Sequence, residues 1–582
     1  MDIVLNDERK RILATKGHIL IIGGPGSGKT TIALLRANQE INSEALKPHQ
    51  KVLFLSFARA TVARVNEAVG EMLSKTEQKQ LQVETYHGFA WNLIRSHGYL
   101  LNPHTPIKLL PPPEAASHLA SFEVEDRTQE KFRLFEEEGK LHFDLFAIKA
   151  HEILSKSKSL ARIFSDTYPI IILDEFQDTN RDEWLMIQEL GKKSNLIALA
   201  DAEQRIYNFR GADPQRIADF INLYSPSTFD FGSENNRSTG RDIILFGNEL
   251  LTGANISKTY TDVQVVRYGA MRKGQGSVHT VLKTELFGAI ERMSTLGNPS
   301  WSIAVLVPTR KLMLEVSDYL NTEQTFATNN RRLVPIYHEV ALETYGPSLS
   351  AVLIARLLEG EDSESSLAQQ IANDLCSHIR GRNGGGVIAK ATQKTLTSIN
   401  DYISTGICGT KDKLVINECI RIAEARKDLV LSGDPGEDWL SIRKIISKST
   451  SPFFLKIEED AGYLRLLHKG ATLRSLLNES WRKNGGYLKA TSLIQGALTQ
   501  EHFSASTKKW TGVQVMTIHK SKGKEFDEVL IYEGLYNSRI IIPDTTNAEE
   551  IAQKRLVLRV GVTRGKQNVK IFTPSSSPCI LL

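Results

Sequence analysis

Residues Gly23-Gly24-Pro25-Gly26-Ser27-Gly28-Lys29-Thr30 pack four glycines, a lysine and two hydroxyls into eight positions. Glycines let successive backbone N–H groups curl around phosphate oxygens, and a helix that follows adds the positive end of its dipole. In the pattern G-x-x-x-x-G-K-[ST], Lys29 reaches the β- and γ-phosphates and the Thr30 hydroxyl ligates Mg²⁺, with Thr31 beside it in the first helical turn. A second constellation is Pro169-Ile170-Ile171-Ile172-Leu173-Asp174-Glu175. A buried strand that ends in two acids puts one carboxylate on the metal, Asp174, and the next, Glu175, where it can deprotonate water. Each motif has a bland reading, a glycine-rich turn or a solvated strand end. Their occurrence together favours nucleoside-triphosphate chemistry.

Such residues need strands to hold them. Short, uninterrupted apolar runs recur at His18–Ile22, Val52–Ser56, Pro169–Leu173, Leu196–Ala200, Ile303–Val307, Val513–Thr517, Glu528–Tyr532 and Asn568–Phe572. Runs of this kind suit strands buried on both faces, and helical patterns such as Thr30–Asn38 and Arg181–Leu190 follow them. The fold class expected is therefore α/β, with two parallel-sheet cores. Each core is interrupted by a mainly helical insertion. The boundaries read as 1–90 and 146–230 for the first core around an insertion at 91–145. The second core occupies 231–345 and 508–582, around an insertion at 346–507.

Composition sets the class. The chain has 582 residues, 41% of them hydrophobic, and 72 Lys+Arg against 67 Asp+Glu give a net charge of only +5. That excess does not by itself mark a nucleic-acid binder. The four cysteines are scattered, which fits a reducing compartment and argues against a zinc or iron–sulfur site. No apolar run approaches membrane-spanning length. A cytoplasmic protein of several domains is expected.

Further motifs, in chain order, are Leu5-Asn6-Asp7, Ser56-Phe57-Ala58-Arg59-Ala60, Thr85-Tyr86-His87-Gly88-Phe89-Ala90, and Leu173 to Asn180 (Leu-Asp-Glu-Phe-Gln-Asp-Thr-Asn). Then come Ala200 to Ala212 (Ala-Asp-Ala-Glu-Gln-Arg-Ile-Tyr-Asn-Phe-Arg-Gly-Ala) and Asn235-Asn236-Arg237-Ser238-Thr239. The last are Met516 to Phe526 (Met-Thr-Ile-His-Lys-Ser-Lys-Gly-Lys-Glu-Phe) and Val560-Gly561-Val562-Thr563-Arg564-Gly565-Lys566. With the phosphate loop, this series resembles the superfamily 1 DNA helicases of the UvrD/Rep/PcrA type, over both cores and most of the chain.

The resemblance implies two RecA-like P-loop cores and an ATP- and Mg²⁺-dependent motor that moves 3′→5′ on single-stranded DNA and opens a duplex with a single-stranded tail. It makes Arg237 and Arg564 the γ-phosphate arginines, Arg564 coming from the second core. Gln204 becomes the γ-phosphate sensor, and Glu525 a carboxylate near the nucleotide ribose. Phe57, Tyr86, His87, Tyr207, Phe209 and His519 become contacts to single-stranded DNA, where stacking tolerates any base. Arg59 and Arg210 would touch the DNA backbone or hold their motifs. A second reading within the resemblance is a DNA-activated ATPase that regulates a nuclease or a repair or defence partner with little unwinding.

Three positions depart from the family pattern. Arg9 stands where a glutamine reads adenine, Asn236 replaces a stacking tyrosine, and Arg559 replaces the tyrosine of the last motif. The first two lie around the base, so relaxed nucleobase selectivity is expected. The stretch Arg443–Lys489, with ten basic residues against four acidic ones, reads either as a duplex-facing surface or as a solvated helical face.

Overall fold

The computed structural model describes residues 6–24, 26–43, 46–57, 59–201, 215–232, 242–269, 277–295, 297, 300–325, 332–341, 345–360, 363–382, 384, 388–407, 413–462, 471–503 and 510–582. The chain divides into two compact units. One comprises Met1–Asn92, Ala150–Leu342 and Ala505–Leu582, and the other Leu93–Lys149 and Glu343–Ser504.

The first unit contains two six-stranded sheets. One is formed by β1 (Ile19–Ile22), β2 (Val52–Ser56), β3 (Leu81–Thr85), β4 (Ile170–Leu173), β5 (Asn195–Ala200) and β6 (Ser227–Asp230). The other is formed by β7 (Val263–Tyr268), β8 (Ser302–Val307), β9 (His338–Val340), β10 (Gly512–Thr517), β11 (Phe526–Tyr532) and β12 (Gly565–Pro574). Their orders are β3-β2-β4-β5-β1-β6 and β9-β10-β8-β11-β12-β7. Every neighbouring pair in both sheets is parallel.

All eight apolar runs are strands, and all eight are interior ones. β3, β6, β7 and β9, which no such run announces, are the four edges. An interior strand of a parallel sheet is covered on both faces, so its residues are apolar without interruption. An edge strand meets solvent along one side and tolerates polar residues. Leu-Gln-Val-Glu-Thr of β3 and His-Glu-Val of β9 have that character.

Ile21, Phe54, Ile172 and Leu199 pack under the helices of the first sheet, all essentially inaccessible. Leu306, Ile531 and Ile571 do so on one face of the second sheet, and Val305, Val515 and Phe572 on the other. Parallel strands point their C-terminal ends one way, so Gly23, Gly24, Phe57, residues 174–180 and Asp201 gather at one edge of the first sheet. Ligands bind at that edge in open α/β sheets.

The second unit joins the two insertions. Helix Pro112–Leu119 packs against helices Tyr345–Glu359 and Glu364–Gly381. Gly381 permits the approach, since a Cβ there would lie 2.9 Å from the Pro113 carbonyl oxygen. Its core runs through Leu353, Ile371, Ile422, Ile442, Phe454 and Leu477. Among the described residues no helix is long and apolar enough to cross a membrane.

His142 gives this unit a titratable point. Its Nδ1 accepts the Asp144 N–H at 3.1 Å, which requires a neutral ring at that atom. Burial pulls its pKa from 6.5 down to about 4. Between those values the unfolded chain binds the proton first. Stability therefore falls as pH drops from about 6.5 toward 4, by up to about 3 kcal/mol. Urea midpoints of this transition at pH 7 and pH 5 should differ more in the wild type than in His142→Gln, which can still accept the Asp144 N–H.

Candidate active site

The phosphate loop leaves β1 and enters helix Lys29–Asn42. Gly26 and Gly28 adopt left-handed φ values of 79° and 89°, open to glycine at no steric cost. Gly23 has no room for a side chain, since a Cβ there would lie 2.8 Å from Ser27 Oγ and 2.9 Å from Phe231 Cβ. The loop is tied to the sheet by Gly23 N–H donating to Ala200 O and Gly24 N–H to Gly232 O. No side chain caps the helix at Gly28, so first-turn N–H groups face the loop. Lys29 Nζ donates to Gly23 O at 2.6 Å and Gly24 O at 2.9 Å. Its ammonium therefore lies across the loop mouth. Pro25 falls outside the described residues.

The acidic centre stands at the end of β4. Asp174 is buried and its Oδ2 accepts Ser56 Oγ–H at 2.8 Å. Burial, reinforced by the neighbouring Glu175 charge, pushes its pKa up to about 6. Glu175 has φ 51°, rare for a side-chain-bearing residue and a strain of the kind found at functional turns. Its Oε2 accepts Gln177 Nε2–H at 2.6 Å. Burial acts to raise the Glu175 pKa, but Lys522, Lys29, Gln177 and Arg564 outweigh it and hold the carboxyl below its ordinary value. The two adjacent acids are thus driven apart, one toward protonation and one toward ionisation. Asp178, also buried, is pushed up to about 7 by desolvation despite its contact with Lys522. Asn180 then starts helix Arg181–Gly191 with a capping box to Glu183.

Cations from the second sheet's lobe meet these acids. Lys522 is buried, donates to Asp178 Oδ2 and lies 3.9 Å from Glu175 Oε2. Arg564, 4% exposed, is drawn back onto its own helix end. Nε donates to Val560 O at 2.9 Å and Nη2 to Thr563 Oγ1 at 3.1 Å. Both Arg564 and Lys29 are close enough to lower the Glu175 pKa, so one carboxylate senses charges from both lobes. Glu525 accepts from Arg64 of the first lobe and lies 4.0 Å from Lys566. Its carboxylate is engaged in this ion pair, where a ribose contact was expected.

The expected DNA-contacting residues divide. Phe57 is half-buried after β2, its ring 4.6 Å from that of Tyr86. His87 is half-buried, with Nδ1 3.9 Å from Glu183 Oε1. His519 is half-buried in the turn after β10, where burial lowers its pKa. Tyr86 is 1% exposed here, packed under the strand end with its hydroxyl donating to Asp174 O at 3.3 Å. Arg59 begins helix Arg59–Met72, but its side chain lies outside the described residues, as do Gln204, Tyr207, Phe209, Arg210 and Arg237. Of the basic stretch in the other unit, Arg443, Lys456, Arg474 and Lys483 are paired with acids. The solvated-face reading thereby accounts for those four.

Sequence reasoning missed Lys522, Gln177 and Asp178 as parts of the centre. Lys522 and Asp178 stand inside motifs already singled out, and only their meeting across 344 residues of chain reveals the pair. Arg9 Nη2 donates to Ser27 O at 3.2 Å, and its guanidinium lies 5.5 Å from the Phe231 ring centre.

The residues present suit a metal-bound nucleoside triphosphate: a glycine cradle with no space for a Cβ, uncapped helix N–H groups, and a buried carboxylate that its surroundings push toward a proton. Residues 5–138 and 108–225 match the UvrD/REP helicase N-terminal domain, and residues 453–575 the UvrD-like helicase C-terminal domain. The chain is 22% identical to DNA helicase II of Escherichia coli (strain K12), over 97% of its length and 84% of that protein's. It is 21% identical to the putative ATP-dependent DNA helicase YjcD of Bacillus subtilis (strain 168), over 98% of this chain and 78% of the relative. Against the ATP-dependent DNA helicase PcrA of Staphylococcus epidermidis the identity is 21%, over 97% and 82%.

The Gly23 geometry makes a sharp prediction. Gly23→Ala should weaken binding of a fluorescent triphosphate by about tenfold or more, a loss of at least ~1.4 kcal/mol. The melting transition should also fall, because one of the two clashes is with Phe231 of the first sheet's core.

Proposed function

Because the chain belongs to the UvrD/Rep helicase family, we propose that it hydrolyses ATP between its two RecA-like lobes to move along single-stranded DNA and open duplexes, 3′→5′. The observation that carries the reading is Glu175, ionised by cations from both lobes. A base whose protonation state depends on the second lobe couples hydrolysis to lobe position.

In this reading the loop N–H groups and Lys29 hold the β- and γ-phosphates. Thr30 and Asp174 would hold a magnesium ion, which would supply charge neutralisation at the phosphates. Glu175 takes the proton from the attacking water. Arg564, with Arg237, answers the negative charge that grows on the γ-phosphoryl group, and Gln204 senses that group. For Arg564 this requires the guanidinium to leave Val560 O and Thr563 Oγ1, neutral acceptors that an anionic phosphate, gripped bidentately, can outcompete. Phe57, His87 and His519, with Tyr207 and Phe209, offer rings and Arg59 and Arg210 offer charge to a single strand whose sequence is not read. The coarse assignment to DNA rests on the family; the individual contacts are the proposal.

Single-stranded DNA should stimulate ATP hydrolysis strongly in wild type, and Lys29→Ala should abolish turnover. Arg564→Ala should lower kcat by about 1000-fold while nucleotide affinity changes little. Equal turnover with and without DNA would remove the motor. Stimulation without separation of a 3′-tailed duplex would transfer the assignment to a DNA-activated regulator.

Arg9 bears on the base. A guanidinium only donates, so it lacks the paired donor and acceptor with which an amide reads adenine. ATP and GTP should be hydrolysed with kcat/KM values within about tenfold of each other. A strict preference for ATP in that comparison defeats the expectation.

A further inference from the structure

Arg559 is 1% exposed, on helix Ala548–Val562 of the second lobe, five residues before Arg564. Its Nη1 lies 3.8 Å from Asp201 Oδ1, at the end of β5 in the first lobe. Its Nη2 donates at 2.9 Å to Asn248 Oδ1 on helix Asp242–Thr252. Asp201 is itself fastened to the acidic centre. Its backbone N–H donates to Gln177 Oε1 at 2.9 Å, and Gln177 Nε2 donates on to Glu175. At the other end, Thr563 N–H donates to Arg559 O at 2.9 Å, and Arg564 Nε to Val560 O at 2.9 Å. A continuous chain of polar contacts therefore runs Glu175–Gln177–Asp201–Arg559 and along one helical turn to Arg564.

We propose that Arg559 is a positioning residue: its charge, latched to Asp201 across the lobes, sets the helix end that presents Arg564 to the nucleotide. This rests on the ATP-hydrolysing reading above. Two features make the contact decisive rather than incidental. Both partners are buried, and removing one charge of a buried ion pair is costly. The helix is also clamped sideways, with Gly247 so close that a Cβ there would lie 3.1 Å from Thr563 Cγ2 and 3.6 Å from Arg559 Cγ. Helix Ala548–Val562 therefore has little freedom to shift alone, and a change at Arg559 is passed along the axis to Thr563 and Arg564. Tyrosine, which the family pattern places here, carries no charge for Asp201.

The test compares full-length wild type with Arg559→Met, Arg559→Lys, Asp201→Asn and the double variant Asp201→Asn/Arg559→Met. ATP turnover is measured at saturating single-stranded DNA, and binding of a fluorescent ATP analogue is measured separately. Arg559→Met should lower kcat about tenfold or more with KM and analogue affinity within about threefold of wild type. Arg559→Lys should recover part of kcat. The double variant should be no slower than the worse single, as expected of two groups that act through one contact. Unchanged kcat in Arg559→Met, a lysine variant as slow as the methionine one, or a double variant whose loss equals the product of the single losses would each overturn the latch. If Arg559→Met fails to bind the analogue, the lysine variant and Asp201→Asn decide in its place, by the same split between kcat and KM. Wild type that hydrolyses ATP without DNA stimulation overturns the motor reading and leaves these ratios to judge the latch. Wild type with no hydrolysis overturns both.

Discussion

Asp174, Glu175 and Asp178 crowd the end of one buried strand, and this concentration of negative charge governs the rest of the site. Carboxylates removed from water must be protonated, paired or metal-bound. Here the answers are distributed. Asp174 leans on the Ser56 hydroxyl and moves toward its protonated form. Asp178 takes Lys522 from the other lobe. Glu175 is held ionised by a set of cations that no single lobe supplies. The first lobe alone would leave its own catalytic edge electrostatically unfinished.

That dependence is a physical basis for coupling. Coulomb attraction in a desolvated site is strong and falls with separation. Any motion that carries Lys522 or Arg564 away changes the proton affinity of Glu175 and uncovers Asp178. Arg64–Glu525 and Arg559–Asp201 cross the same boundary with the polarity exchanged between them. The second lobe offers an anion at Glu525 and a cation at Arg559. Ion pairs of both senses along one seam define a register between the lobes, a constraint that apolar packing lacks because it is non-directional.

The sequence was legible where burial is symmetric and blurred where it is not. Interior strands such as Ile170–Leu173 and Ser302–Val307 are apolar throughout because helices cover them above and below. Edge strands such as Ser227–Asp230 face less of the core and carry no comparable signature. Tyr86 shows the same limit at a single residue. Its place in an aromatic motif suggests stacking, but the fold turns the ring under Asp174, and an aromatic side chain is equally at home in a core. Glu525 also accepts from Arg64, a partner that nothing along the chain announces.

What the sequence determined by itself is local. Glycine spacing compels a loop that only glycine can form, a lysine and a threonine open the helix after it, and apolar runs demand a doubly covered sheet. These follow from the steric and solvation properties of neighbouring residues, so a window of ten residues contains them. Only tertiary structure decided which carboxyl holds its proton more tightly, which aromatic ring is hidden, and that the two helical insertions pack together in one unit. Desolvation and Coulomb terms depend on distance in space, and Lys522 acquires its meaning only where folding carries it to Asp178.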